Sequence, residues 1–189
     1  MSGHLLLALA AVGISAQQAL VEGPTESKVR VLIYEDLQCP DCAAFRLMMD
    51  QNLLPRYSAR VAFVHRDFPL AKHAWARKAA IAARYFAGIK PELGLAYRRY
   101  VMAAIERTTV DNFNDRLLQF ARDNGTDPKL ALAALSDPHL AALVERDFQD
   151  GVARGVAKTP TVFVSGKAFI ESFTAEEISQ AIDDALDGC

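Results

Sequence analysis

The sequence predicts an α/β fold in which a mixed central sheet is flanked by helices and carries an inserted helical block. Three features predict it: a strand–helix–strand unit in the first third of the chain, helical periodicity throughout the middle, and a β-hairpin with a capped helix at the end. The chain has 189 residues, of which 51% are hydrophobic, enough for one compact domain with a sizeable core.

The first unit lies within residues 29–66. Residues 29–34 (VRVLIY) are β-branched and aromatic, as in a buried strand, and apolar residues three and four apart predict a helix over 41–57. Residues 61–66 (VAFVHR) predict a second strand. Because a right-handed crossover through a helix is the usual connection, we expect these strands to pair in parallel.

The middle of the chain predicts helices over residues 72–86 and 91–106, and a third that begins at an Asp111 N-cap and stops at Asn124-Gly125. Asp127 and Asp137 each precede a proline, the pattern of an N-cap followed by the first helical residue. We therefore expect two more helices to begin there.

The last part of the chain changes to strand periodicity. Residues 161–164 and 168–170 predict two strands joined by a Ser-Gly-Lys turn, which is a hairpin pattern. Residues 174–177 (TAEE) form a capping box that opens a helix ending near Leu186. Two strands and a helix thus precede the helical block, and two strands and a helix follow it.

The N-terminus predicts export. Its apolar stretch, residues 5–16, has the length of a secretory h-region and is too short for a transmembrane helix. We therefore expect residues 1–19 to be a signal peptide, residues 20–189 to be one domain, and the location to be periplasmic or otherwise extracytoplasmic. No Lys or Arg precedes the apolar run, so a buried N-terminal helix and a misplaced start codon remain alternatives.

Charge and cysteine content narrow the range of possible functions. The net charge of −2 comes from 21 basic and 23 acidic residues that are mixed along the chain, which gives no reason to expect nucleic acid as a partner. Three cysteines are too few for a disulfide framework. Cys39 and Cys42 form a close pair, whereas for Cys189, the last residue, we predict no function.

The pair lies in the stretch DLQCPDCAAF, where the first strand gives way to a helix. Pro40 suits the first helical position, so Cys39 should face the unpaired N–H groups and the positive end of the helix dipole. Both favour a thiolate, the attacking species in disulfide exchange. Cys42 should point inward and resolve a mixed disulfide. The negative charge of Asp41 should partly offset the lowering of the Cys39 pKa.

Two alternatives for the pair remain open at this stage. A zinc site needs about four ligands, and the sequence offers this pair plus His65 and His73, with no second close cysteine pair. The cysteines could also be buried structural residues. Of the three possibilities, the redox pair is the one we favour, and we expect neither a metal nor a cofactor other than the cysteines.

The order of these elements resembles the DsbA-like branch of the thioredoxin superfamily. The resemblance covers about residues 28–187 and is carried by YEDLQCPDC after the first strand, RDFPL after the second, and GVAKTPTVFVSGK near the end. It implies a thioredoxin fold with a helical insertion at about residues 71–155. It also implies that Cys39 is a solvent-facing nucleophile, Cys42 its partner, and Pro160 a cis-proline facing the disulfide, with Thr159 offering backbone hydrogen bonds to an extended substrate chain.

The chain departs from this family at one position. Many thioredoxin-like enzymes carry a buried carboxylate six residues before the first cysteine, whereas this chain has Ile33 there. Glu35 and Asp36 are the nearest acids. Either could take the role of proton relay, and either could equally be a capping or surface carboxylate.

Together these features predict an exported thiol–disulfide oxidoreductase, a disulfide-forming oxidant of moderate strength. Its partners would be client proteins with thiols or disulfides and a redox partner such as a membrane quinone-linked oxidase. We expect a monomer. The alternatives are a reductase or isomerase that uses the same residues, and a non-catalytic thioredoxin-fold binding protein with a static disulfide or a metal-bound cysteine pair.

Overall fold

The computed structural model describes residues 20–188, which form a five-stranded sheet with helices packed on both faces. The strands are β1 (Leu20–Glu22), β2 (Arg30–Glu35), β3 (Ala62–Asp67), β4 (Thr161–Val164) and β5 (Lys167–Ile170). The helices are α1 (Pro40–Met48), α2 (Leu54–Tyr57), α3 (Ala76–Ile89), α4 (Pro91–Ala103), α5 (Phe113–Asp123), α6 (Pro128–Ala133), α7 (Pro138–Ala153) and α8 (Ala175–Asp187). The predicted signal peptide and Cys189 lie outside the described residues.

The sheet has the strand order β1-β3-β2-β4-β5 and is mixed, as predicted. β2 and β3 pair in parallel, with Ile33 opposite His65, and the other neighbours are antiparallel. The four predicted strands are confirmed to within one residue at each end. β1 was not predicted, because three residues directly before a polar linker carry too little periodicity to indicate a strand.

The helices differ from the prediction in three places. A π-helical turn, Met49–Leu53, separates α1 from α2 within the predicted helix. α3 begins at Ala76 rather than at residue 72, because the preceding residues turn to contact the loop before Cys39. The predicted N-cap Asp111 is wrong: Asn112 precedes α5, and its side chain accepts a hydrogen bond from the Thr109 N–H, which closes the turn before the helix.

Three other predicted caps are confirmed. The side chains of Asp127 and Asp137 each accept hydrogen bonds from the first backbone N–H groups of α6 and α7. Thr174 and Glu177 form the capping box of α8. These local hydrogen bonds fix where the three helices begin.

The core has a separate part on each side of the sheet. One part packs α1 and α8 against the sheet, with Phe45, Val31 and Ile178 among its buried side chains. The helices between β3 and β4 form another part, which includes Cys39, Cys42 and Trp75. The cysteine pair therefore lies where the sheet meets the helical block. Within residues 20–188, no helix combines the length and the apolar character needed to cross a bilayer.

Candidate active site around Cys39 and Cys42

The cysteine pair lies at the junction of β2 and α1, as the sequence predicts. Cys39 is the N-cap residue of α1, with extended backbone, and Pro40 is the first helical residue. The Cys39 N–H donates to the Asp36 carbonyl at 3.1 Å, which closes a tight turn after β2. This turn places the Cys39 sulfur beside the free N–H groups that open the helix.

The two cysteines are present as free thiols in different surroundings. Cys42 is fully buried, and its Sγ accepts a hydrogen bond from the Asp36 N–H at 3.4 Å. Cys39 is only 5% exposed, so the expectation of a freely solvent-facing sulfur is wrong. Cys39 belongs to the buried cluster of the helical block, and its Sγ donates a hydrogen bond to the Thr159 carbonyl at 3.4 Å.

Thr159 and Pro160 lie directly before β4, far along the chain from Cys39, and both are buried. The Thr159–Pro160 peptide bond is cis. The Thr159 hydroxyl is buried and has no hydrogen-bond partner in the structure. A buried hydroxyl without a partner is rare in folded proteins. Next to a cysteine it is available to donate to a thiolate.

The surroundings of Cys39 favour its thiolate. A hydrogen bond with the Cys42 thiol contributes most to lowering the Cys39 pKa, while burial opposes it. The nearby Thr159 hydroxyl and the backbone N–H groups of Cys42 and Asp41, which can donate to the thiolate, lower it further. The pKa falls from an ordinary value of 9.0 to about 6. Much of Cys39 is therefore ionised at neutral pH.

Cys42 shows the opposite shift. Burial raises its pKa well above the ordinary value of 9.0, and the hydrogen bond with Cys39 and the negative charges of Cys39 and Glu35 add to this. Cys42 thus holds its proton while Cys39 releases one. A thiolate nucleophile beside a protonated thiol is the arrangement that thiol–disulfide exchange requires of an attacking and a resolving cysteine.

A cavity of about 520 Å³ opens over Cys39. Thr159 lines one side and the exposed Asp41 lies at its edge. Lys158, which also lines it, is paired with Glu171 at 2.7 Å, so its charge is compensated there. The cavity gives an incoming group access to the sulfur even though little of that sulfur is exposed.

Asp36, one of the two acids considered for proton relay, holds the loop before Cys39 in place. Its carboxylate accepts hydrogen bonds at 2.7 Å from the Gln38 N–H, the Leu70 N–H and His73 Nδ1. The Gln38 side chain in turn accepts from the Trp75 N–H at 2.7 Å. These bonds join the active-site turn to the segment before α3, so Asp36 acts as a structural acceptor.

Glu35, the other candidate, lies at the end of β2 and is 2% exposed. Its Oε1 accepts from His65 Nδ1 at 2.5 Å and from Arg98 at 2.9 and 3.1 Å. Burial alone would raise the pKa of Glu35, but the charges of Arg98 and His65 outweigh burial and hold it at about 2. Glu35 is therefore an anion at neutral pH, unlike a carboxyl group that carries a proton between reactions.

His65 and Arg98 are buried parts of the site that the sequence did not assign to it. The sequence pattern suggests His65 only as a candidate metal ligand and suggests no role for Arg98. The sequence does contain one indication, because VAFVHRD places charged residues directly after the apolar part of a buried strand. Among residues 20–188, no group of three or more His, Cys, Asp or Glu side chains is arranged to hold a metal ion.

Comparison with known proteins agrees with this architecture. The sequence model of the family described as Thioredoxin matches residues 15–184. BdbD from Bacillus subtilis superposes with a TM-score of 0.80 at 21% identity, covering 89% of this chain and 93% of that one. Wolbachia pipientis alpha-DsbA1 superposes with a TM-score of 0.77 at 16% identity, covering 89% and 91%. These superpositions confirm the predicted fold, with its helical insertion.

One curated relative carries the name of an ion antiporter rather than that of a thioredoxin-like protein. The Na(+)/H(+) antiporter NhaA of Herminiimonas arsenicoxydans is 27% identical over 164 residues, which are 86% of this chain and 25% of that protein. The chain thus spans about a quarter of the length of the curated relatives it matches.

Proposed function

Because the chain belongs to the thioredoxin family and has its DsbA-like fold, we propose that it is a thiol–disulfide oxidoreductase whose Cys39–Cys42 pair exchanges disulfides with thiols of client proteins. When the protein forms a disulfide in a client, a client thiolate attacks the Cys39–Cys42 disulfide at Cys39. A second client thiol then releases the client as a disulfide. The Cys39–Cys42 pair is left reduced.

One observation carries this proposal: the two cysteine pKa values are shifted in opposite directions beside a cavity. Cys39, with a pKa of about 6, lines the cavity, and Cys42, whose pKa is raised, is buried behind it. Two cysteines with only a structural role would need neither opposite pKa shifts nor a cavity that leads to one of the sulfurs. Thr159, directly before Pro160, lines the cavity wall against which an extended client segment could lie.

Two cysteine variants test the assignment. In Cys42→Ser, the Cys39 thiolate should attack a client disulfide and form a mixed disulfide that persists, because the resolving thiol is gone. Cys39→Ser should form none. Non-reducing gel electrophoresis after mixing each variant with an unfolded disulfide-containing protein distinguishes them. A non-catalytic binding protein would show the same pattern for both variants.

The ionisation of Cys39 gives an independent test. Because only the thiolate reacts, the rate of Cys39 alkylation by iodoacetamide should rise through about pH 6 and level off above it. Measurement on Cys42→Ser removes the contribution of the second thiol, although the Cys42 hydrogen bond is lost with it and the midpoint should then lie somewhat higher. A midpoint near 9.0, the ordinary value, would contradict the proposed nucleophile.

We propose moderate oxidising strength. A stabilised Cys39 thiolate favours the reduced protein and so makes the disulfide a better oxidant. A pKa of about 6 lies between the values of about 7 in thioredoxin and about 3.5 in DsbA. Equilibration with glutathione buffers should accordingly give a potential between about −270 and about −120 mV.

The same measurement of the reduction potential tests the main alternative, in which the protein is a reductase or isomerase. The observation that favours it is the Cys39 pKa, which is nearer to that of thioredoxin than to that of DsbA. A potential near about −270 mV would select this alternative. The residues and their roles would be unchanged, with electrons flowing from the pair to client disulfides.

Export and recycling complete the proposal. An apolar N-terminal stretch and a redox-active pair both suit an oxidising, extracytoplasmic compartment such as the periplasm. There the reduced pair would be reoxidised by a redox partner, for which a membrane quinone-linked oxidase is the natural class. Fractionation of cells that express the chain tests the location. The protein should act as a monomer, which gel filtration tests.

A further inference from the structure

The main chain of Asp36 contacts both cysteines. Its N–H donates to Cys42 Sγ at 3.4 Å, and its carbonyl accepts from the Cys39 N–H at 3.1 Å. Asp36 and Cys42 are both buried, with 1% and 0% of their surface exposed. A backbone donor is therefore already aligned with the buried sulfur of the pair.

The side chain of Asp36 holds this main chain in place. Its Oδ2 accepts at 2.7 Å from the Leu70 N–H and also from His73 Nδ1, and its Oδ1 accepts from the Gln38 N–H. Leu70 and His73 are the two ends of one turn, closed by a hydrogen bond from the His73 N–H to the Leu70 carbonyl at 3.0 Å. Of the three donors to the carboxylate, only His73 uses its side chain, so it is the one that a substitution can remove.

The sulfur that faces the Asp36 N–H becomes charged in disulfide exchange. When a client thiolate attacks Cys39 Sγ, a bond forms between these two sulfurs and the Cys39–Cys42 bond breaks. The electron pair of the broken bond passes to Cys42 Sγ, which leaves faster when its thiolate is stabilised. A donor that is already in position where charge develops, away from water, lowers the barrier to such a step.

We propose that the Asp36 N–H stabilises Cys42 as the leaving sulfur, and that His73 is a positioning residue that holds this N–H in place through the Asp36 carboxylate. The proposal rests on the proposed oxidoreductase function. No proton is transferred in the step: the N–H keeps its hydrogen, and the negative charge of the client thiolate ends on Cys42 Sγ. The products are a mixed disulfide at Cys39 and a Cys42 thiolate that accepts a hydrogen bond from Asp36.

This role differs from the proton relay considered for Asp36, because the backbone rather than the carboxyl group meets the sulfur. The other surroundings of Cys42 oppose a charge there. Burial, the hydrogen bond with Cys39 and the negative charges of Cys39 and Glu35 all raise the pKa of Cys42, whereas the hydrogen bond from the Asp36 N–H lowers it. The effect of this donor should therefore be visible in the rate at which Cys42 leaves.

The first test removes the N–H alone. A synthetic peptide of residues 1–38, in which an ester joins Glu35 to Asp36, is ligated at Cys39 to residues 39–189, and the refolded full chain is oxidised. Reduced glutathione is the probe thiol, and acid quench with mass spectrometry gives the rate constant of mixed-disulfide formation per glutathione thiolate. This constant should be at least about tenfold lower than in a ligated chain with the natural amide, because a hydrogen bond to a charged group is lost. Equal constants would overturn the proposal.

The second test changes His73. His73→Ala removes the side-chain donor to Asp36, whereas His73→Asn keeps an N–H near the position of Nδ1. The alanine variant should react with glutathione about tenfold more slowly than the wild type, and the asparagine variant should recover the rate to within about threefold. Alkylation of Cys39 by iodoacetamide, measured with Cys42→Ser added to each protein, involves no leaving sulfur. Its rate should not depend on residue 73.

These two reactions separate positioning from general support of the fold. If His73→Ala slows both reactions equally, or slows neither, the role of His73 is overturned. If that variant does not fold, the comparison of ester and amide decides the proposal. His139→Ala, which changes an exposed histidine, should keep the wild-type rates of both reactions. No reaction of the wild type with glutathione at any pH would refute the proposed function instead.

Discussion

Cys39 and Cys42 are three residues apart and have opposite acid–base character. Cys39, the N-cap of α1, is surrounded by uncharged donors, and its pKa falls to about 6. Cys42, one turn into the helix, is fully buried close to an ionised carboxylate, and its pKa rises. The difference shows that the helix start alone does not set the reactivity of such a pair. What packs against each sulfur decides it.

The two sides of the pair are also built from different interactions. On the Cys39 side, the thiolate is stabilised by neutral N–H and hydroxyl groups, which cost little to bury once they are bonded. On the Cys42 side, Glu35, His65 and Arg98 form a buried ionic group that is stable only while every partner is present. Variants on the Cys42 side should therefore change stability most, and variants on the Cys39 side should change reactivity.

The largest expected effect is that of Arg98→Ala. Arg98 binds Glu35 at 2.9 Å and Asp67 at 2.5 Å, and all three are buried. Removing it leaves a buried carboxylate short of a cation, so the free energy of unfolding should fall by about 3–5 kcal/mol. Urea denaturation monitored by circular dichroism measures this. Arg77→Ala, which breaks only the exposed pair with Glu145, should cost about 1 kcal/mol or less.

The pH dependence of the free energy of unfolding tests the Arg98–Glu35 ion pair in a second way. The pKa of Glu35 is about 2 in the folded chain against an ordinary 4.5, so its ionisation stabilises the fold above pH 4.5 and this contribution is lost as pH falls towards 2. Arg98→Ala should lose less stability over that interval than the wild type. An equal loss in both proteins would mean that Arg98 does not hold Glu35 ionised.

Thr159→Val should act on reactivity instead. Its hydroxyl has no hydrogen-bond partner in the structure and is available to donate to the Cys39 thiolate, and hydrogen bonds to charged groups contribute about 1.5–3 kcal/mol. The Cys39 pKa should therefore rise by about one to two units, which thiolate absorbance in the ultraviolet measures. Thr159→Ser keeps the hydroxyl and should restore a pKa near the wild-type value. A valine variant with an unchanged pKa would remove Thr159 from the site.

The contrast between the two sides also limits what the sequence could predict. The Cys39 side depends on local features, namely a strand end, Pro40 and a helix start, and all three were predictable from adjacent residues. The Cys42 side depends on Arg98, which is 63 residues from Glu35 and reaches it only after α4 packs beside the sheet. The charged end of β3 indicates that a polar site could lie there, but no local pattern indicates that Arg98 of α4 is its buried partner. The unpredicted β1 supplies Glu22, the second contact of His65.

The smallest expected effect concerns Asp41, which is exposed in the first turn of α1 and lies at the edge of the cavity. Its charge should stabilise the helix start by about 0.3–1 kcal/mol and oppose the nearby thiolate by a similar amount. Asp41→Asn should therefore lower the Cys39 pKa by about 0.2–0.7 units and make the disulfide slightly more oxidising. Thiolate absorbance and the glutathione potential measure the two changes.

Salt and a matched variant separate the two effects of Asp41. At 1 M salt, where the screening length is about 3 Å, the pKa difference between Asp41→Asn and the wild type should largely disappear. Asp115→Asn removes an acid from the first turn of α5 and should lower stability similarly without changing the Cys39 pKa. A Cys39 pKa that rises in Asp41→Asn would show that the Asp41 side chain supports the thiolate, and the moderate oxidising strength would then need a cause outside the helix start.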